Sequence, residues 1–298
     1  MTLISGIVPP ITTPFDAHEE VDESALRAEV RYLVQVARVH GLAVGGSTGE
    51  GQTLSTDELR HIVGAAIEEA QGRVPVIAGI IVDSTRQAIE RGRALADLDV
   101  TALQITPVHY LFRPDDEMMV RHFAAIADQI DIPILIYNVV PWSYCSPELL
   151  VRIVDGVEGA IGVKQSASDL KLLADLLLEL GDRGTIMSAV DALLYPSFCL
   201  GAHGAIAAIL TAVPTLCVRL WDAVQTGNHA AALELHAKLL RVWNAIAGDN
   251  LPANVKYAME LQGRVAGLPR SPMPASSRSQ RTAIREALEA AGIQMNGG

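Results

Sequence analysis

Short apolar runs alternate with longer amphipathic segments along most of the chain. The apolar runs are rich in Val, Ile and Ala and are bounded by Gly, Pro and polar residues, a pattern typical of buried strands. They predict eight strands, at 6–11, 42–46, 74–79, 101–105, 132–137, 159–163, 184–187 and 203–207. Apolar positions with helical spacing predict a helix after each strand, at 23–39, 56–71, 85–98, 114–129, 147–154, 169–180, 192–200 and 214–224.

This alternation predicts the fold class. Eight strands that alternate with eight helices are typical of an α/β protein with a parallel TIM (β/α)8 barrel. Capping signals support the helix starts, for example Ser55 and Glu58, which have the spacing of a capping box. A doubly wound open sheet is the rival fold, but neither the G-x-G-x-x-G nor the G-x-x-x-x-G-K-[ST] nucleotide fingerprint occurs.

The pattern changes after the eighth predicted helix. Further amphipathic segments follow without intervening strands, near 228–247, 252–262 and 278–291. We therefore predict a catalytic (β/α)8 barrel over residues 1–226, followed by a C-terminal helical extension over residues 227–298 that packs on the barrel.

Composition and charge narrow the classes of partner. The 298 residues are 50% hydrophobic and carry a formal net charge of −11, which argues against binding of a nucleic acid or of an anionic membrane surface. The longest apolar stretch, 201–218, contains His203 and Pro214, so a strand followed by a helix explains it better than a membrane span. The first residues lack the basic region of a signal peptide.

The cysteines indicate a reducing compartment. Cys145, Cys199 and Cys217 are odd in number and lack both a C-x-x-C motif and the spacing of a metal site. Reduced thiols in a cytoplasmic protein are the simplest explanation, and we expect that location and no structural metal.

Lys164 is the first candidate catalytic residue. It is one of four lysines in the chain and directly follows a predicted apolar strand, whereas Lys171, Lys238 and Lys256 lie in helical segments, where we expect solvated ammonium groups. Burial disfavours the charged form of a lysine, and a neutral amine is a nucleophile that forms Schiff bases with carbonyl groups. The alternative is a lysine whose amine extends from the strand end to water.

Other polar residues follow neighbouring predicted strands, at the end of the barrel where active sites of this fold lie. Ser47 and Thr48 belong to a glycine-rich loop after the second strand, whose N–H groups and hydroxyls suit a carboxylate. Tyr137 ends the fifth strand and is a candidate proton relay. An ordinary turn for the loop and a core position for the tyrosine are the alternatives.

Several motifs, in the same order and spacing over nearly the whole chain, resemble those of one protein family. They are the segments 46–50 (GSTGE), 137–139 (YNV), 162–166 (GVKQS) and 191–193 (DAL). Taken together, these motifs resemble the dihydrodipicolinate synthase / N-acetylneuraminate lyase family of Schiff-base-forming class I lyases. Taken singly, none of them is specific.

The resemblance implies a reaction and the residues that carry it out. Lys164 forms an imine with the carbonyl carbon of pyruvate or another 2-oxo acid, while Ser47 and Thr48 hold its carboxylate. Tyr137, with Ser47 in its relay, shuttles protons, and the imine stabilises an enamine for aldol-type carbon–carbon cleavage or condensation. Dehydration or deamination of a 2-keto-3-deoxy acid by the same imine is the alternative. No metal or organic cofactor is implied.

The resemblance also implies further substrate contacts and an assembly. Gly46, Ile206 and Ser166 are implied as additional substrate-binding residues. The family is usually tetrameric, as a dimer of dimers, and a tyrosine after strand four reaches the active site of the neighbouring subunit. Tyr110 is the candidate for that catalytic position, and His109 is the competing choice.

The chain departs from the family pattern where the second substrate binds. Segment 139–144 (VVPWSY) lacks the arginine with which dihydrodipicolinate synthases bind a second carboxylate. Ala192 and Ala208 occupy the positions of the acidic residue and the serine that hold the sugar in sialic acid lyases. We therefore expect a substrate that differs from those of both enzymes.

Three aromatic residues near these positions allow two interpretations. Trp142, Tyr144 and Phe112 either form an apolar acceptor pocket or pack between subunits. Of the two, packing between subunits is the favoured interpretation.

Two functions of other classes compete with a lyase. Segment 45–49 satisfies G-x-S-x-G, the nucleophile elbow of α/β-hydrolases. An elbow needs a helix immediately after Ser47, whereas the capping box predicts that the helix begins at Ser55, which disfavours a hydrolase. A non-catalytic 2-oxo acid sensor on the same barrel is the other alternative, but the candidate catalytic residues are all present, so the sequence does not favour loss of catalysis.

Overall fold

The strands form from apolar runs that are buried on both faces, as is typical of a parallel sheet covered by helices. In the computed structural model, which describes residues 4–296, eight parallel strands are surrounded by helices. The strand bounds are β1 Gly6–Ile7, β2 Leu42–Val44, β3 Val76–Ile80, β4 Ala102–Ile105, β5 Ile134–Asn138, β6 Ala160–Gln165, β7 Thr185–Ser188 and β8 Gly204–Ala205.

The sheet closes into a barrel. Hydrogen-bonded neighbours follow the order β1-β8-β7-β6-β5-β4-β3-β2. Between the two ends of this order, Ile11 N donates to Ala43 O at 2.8 Å and Ala43 N donates to Pro9 O at 3.0 Å. The predicted TIM (β/α)8 barrel is therefore confirmed.

The helices that cover the barrel begin close to the predicted positions, and polar side chains cap the first six of them. Their bounds are α1 Glu23–Arg31, α2 Thr56–Ala70, α3 Thr85–Arg93, α4 Asp116–Ala127, α5 Pro147–Gly156, α6 Leu170–Leu180, α7 Leu194–Cys199, α8 Ile209–Ala212 and α9 Pro214–Gln225. The capping box at α2 forms as predicted: Glu58 N donates to Ser55 Oγ at 3.1 Å, and Ser55 N donates to Glu58 Oε2 at 2.7 Å. The short helix α8 is an addition that the sequence pattern did not predict.

Alternation along the strands decides which side chains enter the barrel. Ala102, Leu135 and Met187 belong to a small buried cluster inside the barrel, whereas their apolar sequence neighbours belong to the larger cluster outside it: Leu103, Ile134, Ile136 and Ile186. Because side chains alternate between the faces of a strand, Gln104 and Tyr137 share the inward face of Ala102 and Leu135. These polar residues therefore form the layer above the apolar interior.

Three helices follow the barrel: α10 His229–Ile246, α11 Leu251–Leu261 and α12 Arg278–Ala291. Helix α10 packs on α9 and α12, and α11 packs on α8 and on the loop after β2. The extension thus lies against the end of the barrel at which the strands terminate. The division of the chain into two parts at residue 226 stays a prediction.

The apolar stretch 201–218 forms β8, α8 and the start of α9, so the predicted strand followed by a helix is confirmed, apart from the additional α8. Within the described part of the chain, the helices are too short or too polar to cross a membrane.

Candidate active site

Lys164 lies at the inward face of β6, near the end of the strand. Its strand neighbours are Tyr137 on β5 and Met187 on β7. The β5–β6 pairing skips Ile161, and this register shift allows both Ile161 and Lys164 to face inward although they are three residues apart. The Lys164 side chain is only 3% exposed. The predicted strand-end position is therefore occupied by a buried amine rather than by one that extends to water.

Two polar groups surround the amine. Lys164 Nζ lies 3.7 Å from the centroid of the Tyr137 ring and 3.5 Å from Gln104 Oε1. The first contact has the distance of a cation–π interaction, and the second is at the outer limit of a hydrogen bond. The amine is thus enclosed while it retains room to react.

Tyr137 connects this amine to the loop after β2. Ser47 Oγ lies 3.0 Å from Tyr137 Oη, so that the two hydroxyls share a hydrogen bond. The two residues are 90 positions apart in sequence and meet because β2 and β5 both end at this mouth of the barrel. The contact brings together the two residues to which the resemblance assigns a proton relay.

The loop after β2 has a tight shape that depends on close backbone contacts. It consists of two 3-10 turns, Ser47–Gly49 and Gly51–Thr53. A Cβ atom at Gly51 would lie 1.9 Å from Gly45 O, so only glycine fits there. Between the turns, Glu50 has a φ of 56°, in the left-handed region, which is uncommon for a residue with a side chain.

Glu50 is held by the C-terminal extension. Lys256 Nζ on α11 lies 2.6 Å from Glu50 Oε1, and Arg270 N donates to Glu50 Oε2 at 2.9 Å. Both partners of the ion pair are buried, at 2% and 0% exposure. Burial lowers the pKa of Lys256, and the neighbouring Glu50 carboxylate opposes this. The expectation that Lys256 is solvated was therefore wrong: it fixes the loop that carries Ser47 and Thr48.

Several buried polar atoms around Lys164 have no hydrogen-bond partner within residues 4–296. They are Gln104 Nε2, Thr106 Oγ1 and Ser166 Oγ. Buried polar groups almost always have a partner, so unpaired ones beside a cavity indicate where a ligand or water binds. Sequence reasoning missed Gln104, although a lone amide in an otherwise apolar strand was a signal for it.

A cavity of about 660 Å³ extends outward from Lys164. Its inner part is lined by Ser47, Thr48, Thr106, Tyr137, Lys164 and Ser166. Its outer part lies beyond the strand ends and is lined mainly by apolar side chains, including Val139, Val140, Ala192, Ala208, Leu251 and Met273. The volume is in the range of sites for small organic molecules.

Asp191 lies where the inner and outer parts meet. Burial raises the pKa of this carboxyl to about 6, while a hydrogen bond from Ile209 N, at 2.7 Å, and the charge of Lys164 oppose the shift. Among the described residues that line the cavity, Lys164 is the only lysine or arginine. Arg113, in the loop before α4, pairs with Asp116 at 2.7 Å and does not line the cavity.

The remaining predicted site residues divide into two groups. Ile206 lines the cavity together with the residues of the inner part. Gly46 lies behind the lining, where a Cβ atom would come within 2.7 Å of Gln104 Nε2. His109 lines the cavity, whereas Tyr110 is 69% exposed and lies outside the cavity of its own chain.

Of the three aromatic residues considered for an acceptor pocket, only one lines the cavity. Trp142 lines the cavity, although it is 69% exposed, and its Nε1 donates to His109 O at 2.8 Å. Phe112 is 79% exposed, and Tyr144 lies behind the cavity wall with its Oη donating to Ser166 O at 3.4 Å. An acceptor pocket built from all three rings is therefore wrong for a single chain.

The geometry does not support a nucleophile elbow. Ser47 begins a 3-10 turn rather than an α-helix, and α2 begins only at Thr56. The Ser47 hydroxyl is paired with Tyr137 rather than with a histidine. Both features differ from those of a serine hydrolase.

Comparison with known proteins agrees with this geometry. The model of the dihydrodipicolinate synthetase family matches residues 3–291. The chain is 33% identical to the 4-hydroxy-tetrahydrodipicolinate synthase of Methanopyrus kandleri over 298 residues, which cover 99% of each chain. It is 36% identical to the enzyme of the same name from Bradyrhizobium diazoefficiens over 295 residues, 98% of each chain.

Solved structures show the same similarity. YagE, a prophage protein of the dihydrodipicolinic acid synthase family from E. coli K12 whose structure contains pyruvate, superposes with a TM-score of 0.93 and 25% sequence identity. The superposition covers 98% of this chain and 100% of YagE. The family predicted from the sequence motifs is thus confirmed: the chain belongs to the dihydrodipicolinate synthetase family, a family of lyases.

Proposed function

We propose that this protein is a class I lyase in which Lys164 forms a Schiff base with pyruvate or a related 2-oxo acid. One observation carries the proposal: the buried Lys164 amine lies 3.7 Å from the ring of Tyr137, whose hydroxyl lies 3.0 Å from Ser47 Oγ. A nucleophile, a proton relay and a hydroxyl-bearing loop thus meet at one point of the barrel mouth. The pyruvate in the structure of YagE supports a substrate of this class.

The proposed roles follow from the positions of the groups. The carboxylate of the 2-oxo acid accepts hydrogen bonds from Ser47 and Thr48, which places its carbonyl carbon near Lys164 Nζ. The amine attacks this carbon, Tyr137 passes a proton to the carbonyl oxygen, and water leaves as the imine forms. Tyr137 then accepts a proton from C3, and the electrons of the C–H bond form a C=C bond while those of the C=N bond move to the imine nitrogen, which gives an enamine.

The enamine acts as a carbon nucleophile. In the condensation direction, its C3 bonds to the carbonyl carbon of an aldehyde, and the aldehyde oxygen takes up a proton to become a hydroxyl. Hydrolysis of the imine releases the 4-hydroxy-2-oxo acid and the free Lys164 amine. The reverse sequence is retro-aldol cleavage, and the same imine supports elimination of water or ammonia from a 2-keto-3-deoxy acid as the alternative reaction.

We also propose that the chain forms a homotetramer in which Tyr110 enters the cavity of a neighbouring subunit. Tyr110, Leu111, Phe112 and Trp142 are each more than two-thirds exposed, at 69%, 69%, 79% and 69%. A contiguous set of exposed apolar side chains is typical of a protein interface. This supports the interpretation that these aromatic residues pack between subunits, and sedimentation velocity measures the assembly directly.

The three free cysteines remain consistent with the cytoplasm as the expected location.

Borohydride trapping tests the Schiff base. With pyruvate and borohydride, we expect a reduced pyruvyl adduct on the peptide that contains Lys164, detected by mass spectrometry. Lys164→Ala should abolish the adduct and lower the rate of pyruvate C3–H exchange in D2O, measured by NMR, at least about 10³-fold.

Lys171→Ala is the matched control. Lys171 lies on the exposed face of α6 and pairs with Asp175 at 2.6 Å, with 74% of its side chain exposed. This variant should keep both the adduct and the exchange. Absence of an adduct with pyruvate and with other 2-oxo acids would contradict the proposed function.

A further inference from the structure

The outer part of the cavity differs in character from the inner part, and this difference concerns the second substrate. Val139 and Val140 follow β5, Ala192 follows β7, Ala208 follows β8, and Leu251 begins α11. Each of them presents a side chain that can neither donate nor accept a hydrogen bond. A group that binds here exchanges water for apolar contacts.

A carboxylate on the second substrate has no cationic partner in this part of the cavity. The only lysine or arginine among the lining residues described is Lys164, and its amine is consumed by the imine. The carboxyls that line the cavity, Asp191 and the exposed Asp249, would repel a further negative charge. Desolvation of an unpaired carboxylate is costly, so a carboxylated electrophile is disfavoured.

A polyhydroxylated second substrate is disfavoured for a different reason. Each hydroxyl that leaves water needs a partner, and a buried unpaired one lowers affinity. The side chains at Ala192 and Ala208 end in methyl groups, and the valines at 139 and 140 add no donor or acceptor. The lining also contains the polar residues Gln52, His109 and Ser168, but apolar side chains predominate. An uncharged substrate with an apolar body therefore fits most of the outer part.

We propose that the carbon fragment which joins to, or departs from, the 2-oxo acid is an uncharged aldehyde with an apolar body, such as an aromatic or branched aliphatic aldehyde. This inference rests on the proposed function and names its second substrate class. The enamine C3 bonds to the aldehyde carbon, the aldehyde oxygen gains a proton, and water hydrolyses the imine, so the product is the sum of the 2-oxo acid and the aldehyde.

A matched panel of aldehydes tests the substrate class. Benzaldehyde and isovaleraldehyde represent the apolar class, succinate semialdehyde the carboxylated class, and erythrose the hydroxylated class. With pyruvate as the donor, we expect kcat/KM for the better apolar aldehyde to exceed that for the other two classes at least about 10-fold. A preference for succinate semialdehyde or erythrose would overturn the inference.

A substitution at Val140 should change the specificity for the aldehyde. It lies in segment 139–144, is half-buried and lines the cavity, so Val140→Arg introduces a guanidinium that can pair with a carboxylate. We expect this variant to lower kcat/KM for the apolar aldehyde about 10-fold and to raise that for succinate semialdehyde. Val140→Met, which adds volume without charge, should not improve the carboxylated substrate.

The trapping experiment separates failure of this inference from failure of the proposed function. Imine formation on Lys164 needs pyruvate alone and does not depend on the aldehyde. If the pyruvyl adduct forms but no apolar aldehyde is preferred, the inference is wrong while the Schiff-base function stands. If no adduct forms, both are wrong.

Discussion

The inner and outer parts of the cavity are built from different pieces of the fold. The inner part takes Tyr137 and Lys164 from within strands, and each is buried, at 4% and 3% exposure. Its hydroxyl residues come from the segments that begin where β2, β4 and β6 end: Ser47, Thr48, Thr106 and Ser166. The outer part takes its residues from the segments after the strands and from α10 and α11. Because strands are rigid and loops tolerate change, the barrel keeps the reacting groups in place while the surrounding segments decide which second substrate fits.

Hydrogen bonds connect two of the loops that shape the outer part. Trp142 Nε1 donates to His109 O at 2.8 Å, and Ser143 Oγ donates to Val108 O at 2.8 Å. The segments after β4 and β5 are therefore held together at the mouth of the cavity. A change in one of these segments is expected to affect the other, whereas Tyr137 and Lys164 of the inner part are held by the sheet.

The largest effect should come from the inner part. In Tyr137→Phe the ring beside Lys164 remains but the hydroxyl that contacts Ser47 is lost, so proton transfer during imine and enamine formation should suffer. We expect the rate of pyruvate C3–H exchange to fall about 10²–10⁴-fold, as is typical of loss of a general acid or base. NMR in D2O measures this rate without a second substrate.

Tyr144→Phe is the control for this change. Tyr144 loses the same hydroxyl, but its Oη donates to Ser166 O at 3.4 Å behind the cavity wall. Exchange should remain within a few-fold of the wild-type rate. If both variants lose exchange equally, the distinction between reacting groups and surrounding structure does not hold for these tyrosines.

A smaller effect should come from the contact that joins the C-terminal extension to the inner part. Lys256→Met leaves the Glu50 carboxylate buried and without its ion-pair partner, which is expected to reduce the free energy of unfolding by about 3 kcal/mol. Because Glu50 lies within the loop that carries Ser47 and Thr48, the pyruvate concentration for half-maximal borohydride trapping should rise about 10-fold. Chemical denaturation and trapping measure the two effects.

Arg264→Met distinguishes a specific effect from general destabilisation. Arg264 pairs with Glu29 at 2.5 Å, and both side chains are buried, at 5% and 3% exposure. This pair contacts neither the loop after β2 nor the cavity lining. We expect a comparable loss of stability with unchanged pyruvate dependence. A rise in pyruvate requirement of the same size would mean that Lys256 acts only through global stability.

The smallest effect concerns Asp191, at the boundary between the two parts. Burial is the main cause that raises the pKa of this carboxyl from 3.8 to about 6 in the folded state. The stability that Asp191 contributes is therefore complete below about pH 4 and is lost as the pH rises through 6. The full shift corresponds to about 3 kcal/mol, but partial contact with water reduces this, and we expect about 1 kcal/mol.

Asp191→Asn should therefore be more stable than the wild type at pH 7 by about 1 kcal/mol and equal to it near pH 4. The asparagine Oδ1 still accepts the hydrogen bond from Ile209 N, so that contact is retained. Urea denaturation at both pH values measures the difference. Equal stabilities at pH 7 would show that the Asp191 carboxylate is solvated rather than buried at the boundary.

Local patterns were sufficient for the architecture and for part of the site. The run 159–163 predicted a buried strand that Lys164 directly follows, and β6 spans Ala160–Gln165. The capping signal at Ser55 predicted the start of α2. These predictions succeeded because burial of an apolar strand and capping of a helix depend on residues that are close in sequence.

Contacts between residues that are far apart in sequence could be identified only from the tertiary structure. Lys256 looked solvated because its helix has ordinary amphipathic spacing, yet its partner Glu50 lies 206 residues away. Gln104 lies 60 residues from Lys164 and meets it only because β4 and β6 face the same barrel interior. Contacts of this kind depend on the closure of the sheet, which no local pattern contains.

The sequence by itself determined the strands and helices, the family motifs, and the absence of an arginine from segment 139–144. The tertiary structure decided that Tyr110 and Phe112 face away from the cavity of their own chain, and that α11 completes its outer wall. The physical reason is the distance along the chain over which each kind of interaction acts. Hydrophobic periodicity acts over a few residues, whereas the shape and charge of a cavity are set by segments that meet only when the barrel closes.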